Sequence, residues 1–143
     1  MKKLIISLIV LVSLTSCGTT SLYYWGYGAD SYEELSHKRA DKESPKIICR
    51  VIAMYENMLA YPGGSRQVPP PGMCAEYAYM LLQPEIMDIF YKNATNAQIL
   101  LFEGSQYGNE PVAKAVKLFE KEIELYPESS LFVTPLLKRL KTK

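Results

Sequence analysis

Prolines cut this chain into helix-length pieces. A proline inside a helix removes a backbone donor and its ring clashes with the preceding turn, whereas at the first helical position it costs nothing. Ser44-Pro45 is such a start, with Ser44 as N-cap, and Pro62-Gly63-Gly64 is a stop. Between them Ile47, Ile48, Val51, Ile52, Tyr55, Met58 and Leu59 recur along one stripe, which predicts an amphipathic helix ending at Tyr61. The segment Pro62 to Gly72 (PGGSRQVPPPG) reads as a turn and then a proline-stiffened spacer. From Gly72 or Met73 to Gln83, Ala75, Tyr77, Ala78, Met80, Leu81 and Leu82 leave Glu76 as the only charge, the pattern of a central helix. Pro84 opens a further turn, Asn93-Ala94-Thr95 interrupts it, and Ile99 to Phe102 closes at Gly104. Helix resumes at Asn109-Glu110-Pro111, with Val112, Ala115, Val116, Phe119 and Ile123 as its buried stripe up to Tyr126-Pro127. A last helix, Ser129 or Ser130 to about Leu140, carries Leu131, Phe132, Leu136 and Leu140, with Pro135 kinking it or splitting off its first turn. Upstream, Ser31 with Glu34 three residues on has the form of a capping box for a short helix whose polar last turn holds His37. No stretch alternates β-branched residues at period two, so the expected fold is all-α.

The N-terminus reads as an address. Lys2 and Lys3 precede an eleven-residue apolar run, Leu4 to Leu14, broken only by two serines. A stable transmembrane helix needs roughly 20 apolar residues, so cleavage is expected instead. The run ends in Leu14-Thr15-Ser16-Cys17, which resembles the bacterial lipobox, whose cysteine thiol takes a diacylglyceryl group before the peptidase cuts ahead of it. The expected partner of Cys17 is therefore membrane lipid, with the chain anchored to the bilayer and not spanning it. Gly18 is not the aspartate that retains enteric lipoproteins at the inner membrane, and no acidic cluster follows, which points to the periplasmic face of the outer membrane. The organisation is then residues 1–16 as signal peptide, 17–30 as lipid anchor and aromatic tether, and 31–143 as one helical domain. Tyr23, Tyr24, Trp25 and Tyr27 lie in that tether, where they either sit at headgroup depth or pack onto the helical body; packing is the preferred reading. Tyr24 and Trp25 there, with Tyr77 and Tyr79 on the second long helix, are the candidate partner-binding residues.

Composition excludes several classes of function. The 143 residues are 48% apolar and 22% charged with a formal net charge of +1, so one globular domain is expected and no whole-chain electrostatic footprint for nucleic acid. One histidine and three cysteines are too few for a Cys/His zinc cluster. Glu120, Glu122 and Glu124, at two-residue steps, point about 200° apart in succession and read as a solvated face. No phosphate-binding Gly-rich loop, His-Glu-x-x-His pair or Gly-x-Ser-x-Gly elbow occurs. The expectation is a non-enzymatic protein with no metal and no cofactor. The readings left open are an adaptor in a lipoprotein assembly, a structural or envelope-stress lipoprotein without such a partner, and an enzyme built around Glu76 and Tyr77 or His37.

The spacing Ala115…Phe119…Tyr126-Pro127 is similar to the second helix of a tetratricopeptide repeat, and Tyr55 to Pro62 echoes it with one residue fewer. Gly72 to Leu82 would be the first helix of the repeat ending at Pro127, with 84–108 as an insertion. The lipobox, Tyr24-Trp25-Gly26, Val68-Pro69-Pro70-Pro71-Gly72 leading into Ala75-Glu76-Tyr77-Ala78-Tyr79-Met80-Leu81-Leu82, and Phe119-Glu120-Lys121-Glu122 with Leu125-Tyr126-Pro127-Glu128-Ser129 together resemble the bacterial lipoproteins of domain-of-unknown-function family 4810. The resemblance implies a TPR-like helical lipoprotein encoded beside one similar to the curli secretion channel CsgG and beside a second small lipoprotein. It assigns no functional residue.

Cys49 and Cys74 would face an oxidising periplasm. In a simple antiparallel pair of the two long helices their α-carbons would be about 14 Å apart, at 1.5 Å per residue, beyond the ~7 Å a disulfide permits. Two unpaired thiols are expected.

Overall fold

A computed structural model describes residues 20–42 and 44–142; the proposed signal peptide and Cys17 lie outside them. The described residues form seven α-helices and no strand, so the fold is all-α. They are α1 (Tyr32–Asp41), α2 (Pro45–Ala60), α3 (Met73–Leu81), α4 (Pro84–Asn93), α5 (Asn96–Glu103), α6 (Pro111–Leu125) and α7 (Ser130–Lys141), with one-turn 3₁₀ segments at Gly28–Asp30 and Pro127–Ser129.

Four of the seven described helices start where a neighbouring side chain accepts from their free N–H groups. Ser31 Oγ accepts from Glu34 N at 3.3 Å, although the Glu34 carboxylate turns instead to Lys38 at 2.7 Å, leaving half a capping box. Ser44 Oγ accepts from Ile47 N ahead of Pro45, and Thr95 with Gln98 makes a complete capping box. The Glu110 carboxylate caps Val112 N and Ala113 N beside Pro111. α3 starts at Gly72, which has no side chain to offer, and Glu122 of α6 supplies the acceptor: its Oε1 takes Gly72 N at 2.7 Å and Ser129 Oγ at 3.2 Å. A carboxylate there also sits favourably at the positive end of the helix dipole. Glu122 is thus fully buried, and the solvated face expected for Glu120, Glu122 and Glu124 exists only at the outer two.

The centre of the domain is α2. It packs against α1, α4 and α5 and is buried at Ile48, Cys49, Val51, Ile52, Met54, Tyr55, Glu56, Met58 and Leu59, too wide a face for one stripe. α3 packs chiefly on α6 and touches α2 little, so the two long proline-bounded helices are not a hairpin. The spacer between them is part of the body: Pro69 and Pro70 are buried, and Tyr126 OH donates to Pro69 O at 2.6 Å. Residues 84–108 build α4 and α5 against α2 and place Phe90 and Phe102 wholly inside, their ring centroids 5.3 Å apart.

Two faces are rotated from expectation. On α6 the buried residues are Lys114, Ala115, Leu118, Phe119 and Glu122, while Val112 is exposed. The rotation brings Lys114 Nζ within 2.6 Å of Glu56 Oε1, and this pair could not form with the apolar stripe centred inward. On α7 the inward residues are Val133 and Leu137; Leu131 and Phe132 are 76% and 75% exposed. α7 runs through Pro135 without splitting.

Cys49 and Cys74 are both free and buried, as expected, but the hairpin behind that expectation is absent: one thiol sits on central α2, the other at the α6-facing start of α3. Burial raises both thiols, Cys74 to about 12 with the Glu122 carboxylate adding to the effect. A thiol with a pKa of about 12 is ionised to about one part in 10⁴ at pH 8, and the thiolate is the reactive form. Iodoacetamide at pH 8 should therefore leave both unmodified in the native protein and alkylate both once urea unfolds it, without reductant; rapid labelling of native Cys74 would contradict its burial.

Candidate functional site

The described chain begins as an extended tether, residues 20–27, laid across the turn that ends α2. Pro62 stops that helix, and Gly63-Gly64 leave the backbone bare enough for close approach. Ser65 N donates to Ser21 O at 3.0 Å and Arg66 N to Leu22 O at 3.1 Å. Gly64 has φ +76°, and a Cβ there would come within 2.5 Å of Leu22 O and 2.7 Å of Tyr23 Cα. Arg66 reinforces the seam, donating to Tyr23 OH at 3.0 Å with its guanidinium over the Tyr23 ring. Gly64→Ala combines positive-φ strain with that collision, and such backbone incompatibilities cost more than about 1 kcal/mol. It should release residues 20–24, seen as faster amide exchange confined to the tether and residues 62–67, with α3 and α6 unchanged.

Beyond the seam the tether turns back at Gly26, φ +81°, and Trp25 O accepts from Tyr32 N at 2.8 Å. Arg50 of α2 then clamps the 3₁₀ turn through Asp30 Oδ1 at 2.7 Å and Ala29 O at 2.6 Å. Trp25 packs on Tyr32, Tyr32 on Tyr55 and Tyr55 on Tyr77, with centroids 5.1, 6.4 and 4.9 Å apart. The aromatic series runs from the surface to a buried polar cluster. There Tyr77 OH donates to Glu56 Oε1 at 2.5 Å, Lys114 Nζ donates to the same oxygen and to Phe102 O at 2.8 Å, and Lys114 Nζ lies 3.4 Å from the Phe102 ring centroid. Burial, aided by the Glu56 carboxylate, holds the Tyr77 phenol well above its usual value. Burial lowers Lys114, and Glu56 opposes that shift. One carboxylate, one ammonium and one phenol thus join α2, α3, α5 and α6, and all three are sealed from solvent.

A cleft of about 660 Å³ opens between the tether and α2, with Gln98 of α5 at its edge. Tyr24, Tyr27, Met54, Met58 and Tyr61 give it an aromatic and thioether lining, with Asp30, Arg50, Asn57 and Gln98 around them. The Tyr24 and Tyr27 rings are 5.0 Å apart. Tyr27 and Tyr61 are 81% and 73% exposed. Asp30 and Arg50 are paired with each other, so the arrangement suits contact with apolar and aromatic groups through rings whose hydroxyls stay wet.

The sequence-derived binding residues do not form one site. Tyr24 is half-buried against the core and lines the cleft; Trp25 is partly exposed on Tyr32. Tyr79 is exposed on α3. Tyr77 is corrected: it is wholly buried, and its hydroxyl is spent on Glu56, so it cannot face a partner. Glu76 is exposed and accepts from Tyr32 OH at 2.7 Å, and His37 is exposed on α1. Neither belongs to the Glu56 cluster. Tyr61 and Met54 were missed, although Met54, Met58 and Tyr61 stand at the i, i+4, i+7 spacing of a second apolar face on α2. Among the described residues no group of three or more His, Cys, Asp or Glu side chains is placed to hold a metal ion. No described helix is long and apolar enough to cross a membrane.

The fold and site define a small all-helical domain carrying an aromatic N-terminal tether clipped to its central helix. No family model, curated protein or solved structure matches the chain.

Proposed function

We propose that this is a lipid-anchored helical adaptor of the bacterial envelope, acylated at Cys17, held on the periplasmic face of the outer membrane, and binding a partner lipoprotein resembling CsgG. Membership in lipoprotein family 4810 is part of the same proposal, as is the TPR-like pairing of α3 with α6 across residues 84–108. The lipobox in register with its charged start and apolar run supports the anchor. The observation that carries the adaptor reading is the adjacent pair Leu131 and Phe132, three-quarters exposed on a helix whose other face is packed on α6. Two large apolar side chains held side by side in water favour a protein surface that covers them.

Labelling cells with an alkyne fatty acid tests the anchor. Wild-type protein should label and Cys17→Ser should not, and equal labelling of the two would sink the lipoprotein reading. Gentle crosslinking of envelopes that express the neighbouring genes tests the adaptor. A CsgG-like lipoprotein should be captured by wild type and lost with Leu131→Ser/Phe132→Ser; capture unaffected by that change would remove α7 as the docking face.

A further inference from the structure

We propose that the tether and the end of α2 form a face that rests in the headgroup layer of the bilayer, so that the domain lies against the membrane and does not hang from a free leash. The inference rests on acylation of Cys17. Three Cα–Cα steps of at most 3.8 Å separate Cys17 from Thr20, so the described chain starts within about 11 Å of the lipid attachment. That reach is comparable with the depth of one headgroup layer, about 5–8 Å. The tether does not then wander away. Its seam with Ser65 and Arg66 and the Arg50 clamp on Asp30 fix residues 21–30 onto the domain, and whatever orientation they take near lipid the domain takes too.

The side chains left outward by that docking are Leu22, Trp25 and Tyr27 on the tether and Tyr61 at the end of α2, all exposed. Trp and Tyr carry an apolar ring and a polar tip, the combination that settles at the membrane–water interface. The charges around them fit the same occupant. Asp30 is neutralised by Arg50, and Arg66, lying over Tyr23, is the cation on the seam. An apolar peptide would instead need a deep, dry groove, whereas the Tyr27 and Tyr61 side chains in the cleft's lining are largely exposed to solvent.

Trp25 is the single tryptophan of the chain and reports directly. The mature acylated protein would be reconstituted into phosphatidylethanolamine/phosphatidylglycerol vesicles containing either a headgroup-nitroxide lipid or a mid-chain nitroxide lipid. Trp25 emission should shift to shorter wavelength, lose most of its intensity to the headgroup nitroxide and little to the mid-chain one, and resist iodide. Tyr27→Ser/Tyr61→Ser, at two exposed positions, should restore iodide quenching while circular dichroism and acylation stay unchanged. Acylated protein whose Trp25 remains open to iodide and blind to both nitroxides overturns the inference and leaves the lipoprotein reading standing. Shielding that appears only when an envelope protein is crosslinked to Tyr27 overturns it in favour of a protein occupant. Acylation is read separately on the same preparation by mass. Protein that lacks the acyl group and is not quenched on vesicles overturns both readings.

Discussion

Glu56→Ala should cost about 3–5 kcal/mol of unfolding free energy, the range for removing one partner of a buried ion pair. Domains of this kind are stable by only about 5–15 kcal/mol, so much of the protein would be unfolded at modest urea. The magnitude follows from what is left behind. Lys114 Nζ would keep the Phe102 carbonyl and ring but no counter-charge, and Tyr77 OH would lose its acceptor, all in the interior. Lys114→Ala should cost a similar amount by stranding the carboxylate. Replacing the whole cluster, Glu56→Met with Lys114→Met and Tyr77→Phe, should recover most of the loss, because apolar groups of similar volume often match or exceed a buried pair. Urea titrations followed by far-UV circular dichroism compare the four proteins. A single-variant loss under about 1 kcal/mol, the worth of an exposed pair, would mean the cluster is open to water.

That cluster also marks how far the sequence could be read. Helix starts at Ser44-Pro45 and Glu110-Pro111 were legible because they depend on the nearest few residues, whereas the Thr95–Gln98 capping box was read only as an interruption. The contact between α3 and α6 joins the two segments that the small-aromatic-proline spacing assigned to one repeat. Facing was not legible. Lys114 and Glu122 break the apolar pattern of α6, so a stripe drawn through apolar residues alone turns the helix away from them. Their inward positions make sense only with partners 58 and 50 residues away, Glu56 Oε1 and Gly72 N. Tyr77 failed as a surface residue for the same reason, since its acceptor lies on another helix. In the candidate site, the tether's packing was legible from its aromatic density, but the cleft needs Tyr61, Arg50 and Gly63, which no local motif joins.

Phe102→Ala is the other large effect, and it tests whether residues 84–108 are a dispensable insertion. Phe102 is fully buried against Phe90, Tyr91 and Lys114, so truncation should cost about 3–5 kcal/mol, as buried Phe→Ala changes do. Leu100→Ala, two residues earlier but exposed, should stay within about 0.5 kcal/mol. The backbone carbonyl that accepts from Lys114 survives the change, while the ring beneath the ammonium does not. Phe102→Ala and Lys114→Met should therefore be non-additive, with a coupling of about 0.5–3 kcal/mol in a double-mutant cycle. Additivity would mean that Phe102 is ordinary filler and that the ion pair is held by Glu56 and Tyr77 alone. A loss below about 1 kcal/mol for Phe102→Ala would go further: α5 would then be an appendage to the fold, as the sequence-based reading of 84–108 as an insertion expects.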